Sequence, residues 1–328
     1  MSVRKGIDGD KDDPARTAAK EPRMSGRVKK ALFVLGALVI AGIIIAIICI
    51  AVLPSSPAKD EDYPFLCAIS KDPFSYNHDA FNGPLYWKNI SENTRCCGGT
   101  HQSPIDLLRK DLTCRQLSNI TYNTDIQGAL PGTLKNNGQG ATLSFSSEDL
   151  VTNNFPYTNG DDFALISMHF HEPSEHHING TFRPAELHLV HYNRKYGTIQ
   201  EAVHRHDGLA VIGIILEQDN VSTNAALNTL IDGIGQLGSP QSKVNVTIDP
   251  RELLLQSGGY YTYKGSLTNP PCSESVRWVV MKNAIHTTEA NVLILKSLEV
   301  LDGGTLTKYG NERHVQPLNG RPVYTNTC

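Results

Sequence analysis

Residues 163–193 read FALISMHFHEPSEHHINGTFRPAELHLVHYN, and the fold turns on how its two ends are read. FALISMHFH (163–171) and ELHLVHYN (186–193) are short, apolar and rich in branched and aromatic side chains, the pattern of buried strands. Asn179-Gly180 lies between them, a strong signal for a tight turn. In a strand, residues i and i+2 share a face. His169 and His171 therefore point one way and Phe170 the other, while Glu186, His188 and Val190 share a face of the second run. Pairing centred on the Asn-Gly turn sets His171 opposite His188, although Pro173 interrupts the approach and lets this register slip. Even approximate pairing gathers three imidazoles on one face.

Six of the twelve histidines fall between positions 169 and 191. A lone strand histidine is more often a hydrogen-bonded structural residue than a ligand, and it is the shared face that sets this group apart. Three neutral imidazoles suit Zn²⁺ with one open position, which is the catalytic rather than the structural arrangement. His169, His171 and His188 are the expected ligands, and Glu186 is placed to orient the His188 ring. His191, three residues beyond His188, falls on the opposite face; His176 and His177 fall in a loop.

Outward from this stretch, ATLSFS (141–146) alternates apolar and polar residues, and LAVIGIIL (209–216) and SVRWVVM (275–281) read as buried strands. NAALNTLIDGI (224–234) and TTEANVLILKSL (287–298) have helical spacing, the second with Thr287 or Thr288 as cap. Many strands with few helices predict a β-dominated α+β domain over 71–328.

Ahead of that domain the chain changes character. Residues 1–30 carry nine Lys/Arg against five Asp/Glu and no apolar period, and read as a disordered cytoplasmic tail. Ala31 to Leu53 holds no charge, and 23 residues make roughly 35 Å of helix, enough to span a bilayer. It is too long for the apolar region of a signal peptide. Residues 31–53 are expected to be a transmembrane signal anchor and 54–70 a stalk; PSSPA after Leu53 leaves a cleaved signal as the alternative. Arg23, Arg27, Lys29 and Lys30 before the span, against Asp60, Glu61 and Asp62 after it, put the N-terminus inside and the long C-terminal part in an extracellular or lumenal space. Sequons at Asn89, Asn119, Asn179, Asn220 and Asn245 all lie on that outer side, as do six of the seven cysteines, an even number that suggests disulfides. The remainder of the chain is mildly acidic, without a basic stripe, which argues against a nucleic-acid partner.

The run MHFHEPSEHHING…AELHLVHYN resembles the zinc-binding region of alpha-class carbonic anhydrases, and other blocks agree. NGPLYW (82–87) with HQSPIDL (101–107), GSLTNPPCSESVRWVV (265–280) and NERHVQPLNGR (311–321) are similar to that family's segments in the same order. The similarity spans about residues 74 to 323. It implies a single domain around a large twisted, mostly antiparallel sheet with a few peripheral helices and zinc at the bottom of a conical cleft, and reversible hydration of carbon dioxide to bicarbonate and a proton. His169, His171 and His188 match the family's zinc ligands, and Glu186 the carboxylate supporting the third. Thr268 matches the threonine that takes a hydrogen bond from the attacking oxygen, and Glu175 the carboxylate that orients it. Val190, Val211, Leu267, Val276 and Trp278 match the apolar wall that receives carbon dioxide; read without the resemblance, they are ordinary strand core. Cys97 and Cys272 match the disulfide of extracellular members, while Asn311 and Arg313 match structural positions.

Three positions depart from the family's pattern. Gln139, after Asn136-Asn137-Gly138, stands where fast members carry a proton-shuttle histidine, and glutamine does not titrate near neutrality. Ser167 replaces a longer amide that supports the first ligand, and Asn269 follows Thr268 in place of the commoner threonine or histidine. A catalytically silent adhesion or receptor module on the same scaffold is the competing reading, and a zinc esterase a third. Cys67, Cys96, Cys114 and Cys328 allow three pairings, and one of them bridging to a second subunit would give a homodimer.

Overall fold

The computed structural model describes residues 67, 72–123, 126–254 and 258–327. The chain divides into Met1–Lys59 and Asp60–Cys328. The expected tail (1–30), anchor (31–53) and stalk (54–70, Cys67 apart), together with Cys328, lie outside the described residues. Among those described, no helix is long and apolar enough to cross a membrane.

Among the described residues, fourteen strands are formed. The first seven are β1 (Asp106–Leu107), β2 (Leu112–Cys114), β3 (Leu130–Asn136), β4 (Ala141–Phe145), β5 (Val151–Thr152), β6 (Phe163–His171) and β7 (His177–Ile178). The rest are β8 (Ala185–Asn193), β9 (Leu209–Asp219), β10 (Lys243–Ile248), β11 (Tyr260–Gly265), β12 (Val276–Met281), β13 (Ile285–Thr288) and β14 (Val323–Thr325). The α-helices among the described residues are α1 (Ile199–Ala202), α2 (Ala225–Gly235) and α3 (Glu289–Lys296). The large sheet runs β10-β3-β4-β6-β8-β9-β12-β11-β14-β2, with β5 on β6 and β13 on β9. Its pairs are antiparallel except β9 with β12 and β13, and β14 with β2. The mostly antiparallel sheet expected from the sequence is therefore present, as a mixed sheet.

The two faces of the sheet follow from the period of two. Met168 and Phe170 of β6, Leu187 and Leu189 of β8, and Ile212 and Ile214 of β9 join one cluster with Leu227, Leu230, Ile231 and Ile234 of α2. Val190, Val211, Val276, Val280 and Trp278 belong to a second cluster. β8 lies at the centre of the sheet with all nine residues buried, so the polar side chains on its second face must find partners inside the protein. Helix α2 buries a stripe at helical spacing and is capped by Asn224, whose Oδ1 accepts from the Leu227 N–H at 2.9 Å. Thr288, not Thr287, caps α3.

The register between β6 and β8 differs from the symmetric one. His169 pairs with His188 and His171 with Glu186, two residues away from a hairpin centred on Asn179-Gly180. The Asn-Gly pair does turn, with φ of 51° and 80°, yet it closes a local bridge between Ile178 and Thr181 while β7 pairs with β1. The β6–β8 connection is thus a folded loop, and its own bonds set the register. A shift of two preserves the face of every side chain, so the three imidazoles still converge.

Cys67 is bonded to Cys96 and Cys97 to Cys272. The second pair is the one the resemblance implied; the first was left open by the sequence. Cys114 is also disulfide-bonded, so no described cysteine is free to bridge to a second subunit.

Candidate metal centre

His169, His171 and His188 bring one ring nitrogen each within 4.8 Å of one another. Their partners decide which nitrogens those are. His171 Nδ1 lies 2.7 Å from the Asn311 carbonyl oxygen, to which only an N–H can bond, so Nε2 keeps its lone pair. That Nε2 is buried and has no hydrogen-bond partner. His188 Nε2 donates to Glu186 Oε1 at 2.9 Å, which leaves Nδ1 as the free acceptor. His188 Nδ1 and His169 Nε2 then face each other at 3.3 Å. Since His188 Nδ1 is an acceptor, His169 Nε2 either donates to it or shares a cation with it. Burial, with the neighbouring imidazoles, lowers all three pKa values, His169 to about 3, so the rings are neutral as ligation requires. The residues present fit a three-histidine metal site.

Glu186 is fully buried and saturated. Its Oε2 accepts the backbone N–H groups of Glu175 and His176 at 3.0 and 2.8 Å, and its Oε1 accepts from His188 and from His176 Nδ1 at 2.7 Å. Burial works to raise its pKa, but charge and hydrogen bonding from His176 and His188 hold it well below the usual carboxylate range. His176 Nε2 lies 2.7 Å from Tyr263 OH, which is 3.0 Å from Ser103 Oγ. Gly213, opposite His188 in the ladder, leaves room for this carboxylate: a Cβ there would meet Glu186 Oε1 at 2.7 Å.

Glu175 lies on the other side of the imidazoles, with Oε2 3.4 Å from His171 Nε2 and 3.9 Å from His188 Nδ1. Burial raises its pKa well above the ordinary value, while hydrogen bonds from Thr268 and from the Arg313 backbone N–H (2.9 Å) oppose the rise. The Thr268 loop is pinned by the Cys97–Cys272 disulfide, since Cys272 N–H bonds the Asn269 carbonyl at 2.8 Å. Val190, Val211, Val276 and Trp278 are buried in one cluster with Leu267 packed against it, and the Trp278 ring centre is 4.8 Å from that of His188. Gln139 lines a cavity of about 90 Å³ with His169, His171, Tyr76 and Asn269, and its amide donates to the Phe74 carbonyl. Ser167 makes no hydrogen bond to His169, whose only polar contact among the described residues is His188.

The structure thus brings His169, His171 and His188 together with Glu186 and Glu175, and Thr268 bonds Glu175. It adds His176, Tyr263 and the Asn311 carbonyl, which sequence spacing did not mark. The one available signal was the Glu-His-His run at 175–177, and nothing in it distinguishes a buried network from an exposed loop. All five sequon asparagines are exposed.

Compared with known proteins, residues 82–327 match the family model described as eukaryotic-type carbonic anhydrase. The chain belongs to that family. Its activity is accordingly that of a carbonate dehydratase. Among curated carbonic anhydrases it is similar to carbonic anhydrase 6 of Canis lupus familiaris, 34% identical over 70% of this chain and 74% of that protein. Carbonic anhydrase 6 of Mus musculus is 30% identical over 80% and 84% respectively, and that of Homo sapiens 32% over 70% and 77%. The crystal structure of dioscorin complexed with ascorbate superposes with a TM-score of 0.65 at 29% identity, covering 77% of this chain and 98% of that one.

Proposed function

We propose that this carbonic anhydrase hydrates carbon dioxide with a zinc ion held by His169 Nε2, His171 Nε2 and His188 Nδ1. The observation that carries the reading is the convergence of three ring nitrogens around a buried His171 Nε2 that no protein group satisfies. The chemistry zinc supplies in such a site is an acidified water, with a pKa near 7 against about 9 on the aqueous ion. The chain's own residues do the rest. Asn311 and Glu186 fix the tautomers of His171 and His188. Thr268, held by Glu175, orients the attacking oxygen so that a lone pair faces carbon. Val190, Val211, Leu267, Val276 and Trp278 form an apolar wall suited to an apolar gas, the Trp278 indole N–H being used by the Ser266 carbonyl. Gln139 stands at the exit without a titratable group, so the proton leaves through water and buffer, and its export limits turnover.

The test is removal and return of the metal. Dialysis against a zinc chelator should abolish carbon dioxide hydration, and one equivalent of Zn²⁺ per chain should restore it. Activity that persists in zinc-free protein would reject the reading.

We further read residues 31–53 as a signal anchor that places the domain outside the membrane. The uncharged span with its basic-before-acidic flanks supports this, as do the exposed sequons and the disulfides. Resistance of the expressed protein to alkaline extraction, with glycosidase-sensitive mass, is the expected result; complete extraction would reject the anchor.

A further inference from the structure

The ladder that carries the imidazoles continues outward as a row of paired residues. His188 pairs with His169, His169 with Thr142, Thr142 with Lys135 of β3, and Lys135 with Lys243 of the edge strand β10. Residues directly opposite in an antiparallel pair share a face of the sheet. Two ammonium groups therefore stand on the face that holds His169 and His188. Strand spacing near 4.8 Å puts their backbones about 10 and 14 Å from that of His169. Thr142, opposite Lys135, and Asn137, two residues along β3 from it, both line the cavity shared by His169 and His171.

Both lysines are exposed. Among the described residues neither has a carboxylate within 4 Å, whereas Lys195 and Lys296 do. Like charges directly opposite each other weaken a strand pair, so this pair costs the sheet stability. The adjacent row on the same face reads Asn245, Thr133, Ser144 and Ser167, all neutral. Outward of His169 these two rows thus hold positive charge and no acid.

Gln139 holds no titratable group, so the proton of hydration leaves through water and buffer. Resting on that reading, we propose that Lys135 and Lys243 draw a small anionic base to the cavity mouth, where it takes the proton directly. The step is a single proton transfer. The proton passes through cavity water to a base such as hydrogen phosphate dianion, which departs as the monoanion; no other bond changes. A field of unopposed positive charge raises the local concentration of a dianion and leaves that of a neutral base unchanged. The pair thereby selects which buffers carry the proton away.

The experiment uses the full zinc-loaded chain at constant ionic strength, with phosphate or the uncharged base form of 1,2-dimethylimidazole as proton acceptor. Lys135→Glu combined with Lys243→Glu should raise the phosphate concentration that half-saturates kcat about three- to tenfold. Dimethylimidazole-supported kcat should be unchanged, as should kcat/KM, which proton export does not enter. Lys135→Arg with Lys243→Arg should behave as the wild type. Without substrate, phosphate should shift the side-chain Cε NMR resonances of Lys135 and Lys243. Equal phosphate dependence in the wild type and the charge-reversed variant, an equal loss in both buffers, or lysine resonances that phosphate does not move would overturn the proposal. Wild-type turnover that no buffer changes would instead overturn the reading of proton export on which it rests.

Discussion

His188 belongs to two groups of three side chains with opposite states. His169, His171 and His188 form one; His176, Glu186 and His188 form the other, and each brings its polar atoms within 4.8 Å. In the second group every contact is a donor meeting an acceptor: Glu186 Oε1 takes an N–H from each imidazole, and Tyr263 meets the far side of His176. In the first group the inward nitrogens of His171 and His188 are both acceptors, and His171 Nε2 has no hydrogen-bond partner. Residue type and distance do not separate a metal site from a structural network here. The inventory of protons does, and for His171 and His188 it is set by hydrogen bonds made at Asn311 and in the second group.

The largest expected effect comes from the residue the groups share. His188→Ala should lose both stoichiometric zinc and carbon dioxide hydration, read by metal analysis and stopped-flow on one folded sample; activity retained with zinc gone would break the comparison. Next is Glu186→Gln, which removes charge from the second group and leaves the first intact. It should weaken zinc binding by about 10- to 100-fold in a chelator competition, with binding still saturating at one zinc per chain. If wild-type protein bound two zinc ions and the variant one, the second group would be a metal site and the distinction would fail.

Gln139→His tests the edge of the first group. A titratable imidazole at that position should raise turnover several-fold at low buffer concentration and leave it unchanged at high buffer. A well-folded variant with no gain at low buffer would show that proton export is not limiting.

The smallest effect concerns a histidine outside both groups. His191 lies on the opposite face of β8, where its Nε2 is 2.7 Å from Tyr122 OH, and burial pushes its pKa down to about 3 despite hydrogen bonds to backbone carbonyls. The unfolded chain takes up this proton near pH 6.5 and the folded chain only near 3, so the stability linked to His191 is full above about 6.5 and is lost as pH falls toward 3. Between pH 7.5 and 5, His191→Phe should lose about 2 kcal/mol less stability than the wild type in urea unfolding. Equal losses would mean that this ring is already charged in the fold.

The contrast between the groups also shows what could be read in the sequence. The faces of β6 and β8 follow from alternation alone, which is why His169, His171 and His188 were legible as a set. Their register was not, because Asn179-Gly180 closes a bridge of its own within the loop, and the ladder is fixed by bonds from residues 174–176 that have no period. His176 illustrates the same limit: its burial depends on Glu186 accepting its backbone and ring N–H groups together. The Cys67–Cys96 pairing depends on where a segment without repeating pattern folds back. Strands β3 and β10 were missed for different reasons. β3 carries Pro131 and Gly132, which weaken a strand pattern, and β10 is an edge strand whose alternation is only half buried.

Zinc K-edge absorption on the purified, zinc-replete chain tests the central claim most directly. Three nitrogen scatterers with imidazole signatures at about 2.0–2.1 Å and one light oxygen-type ligand are predicted, with one zinc per chain. Fewer than three imidazoles, or a shell containing carboxylate from Glu175 or Glu186, would contradict it.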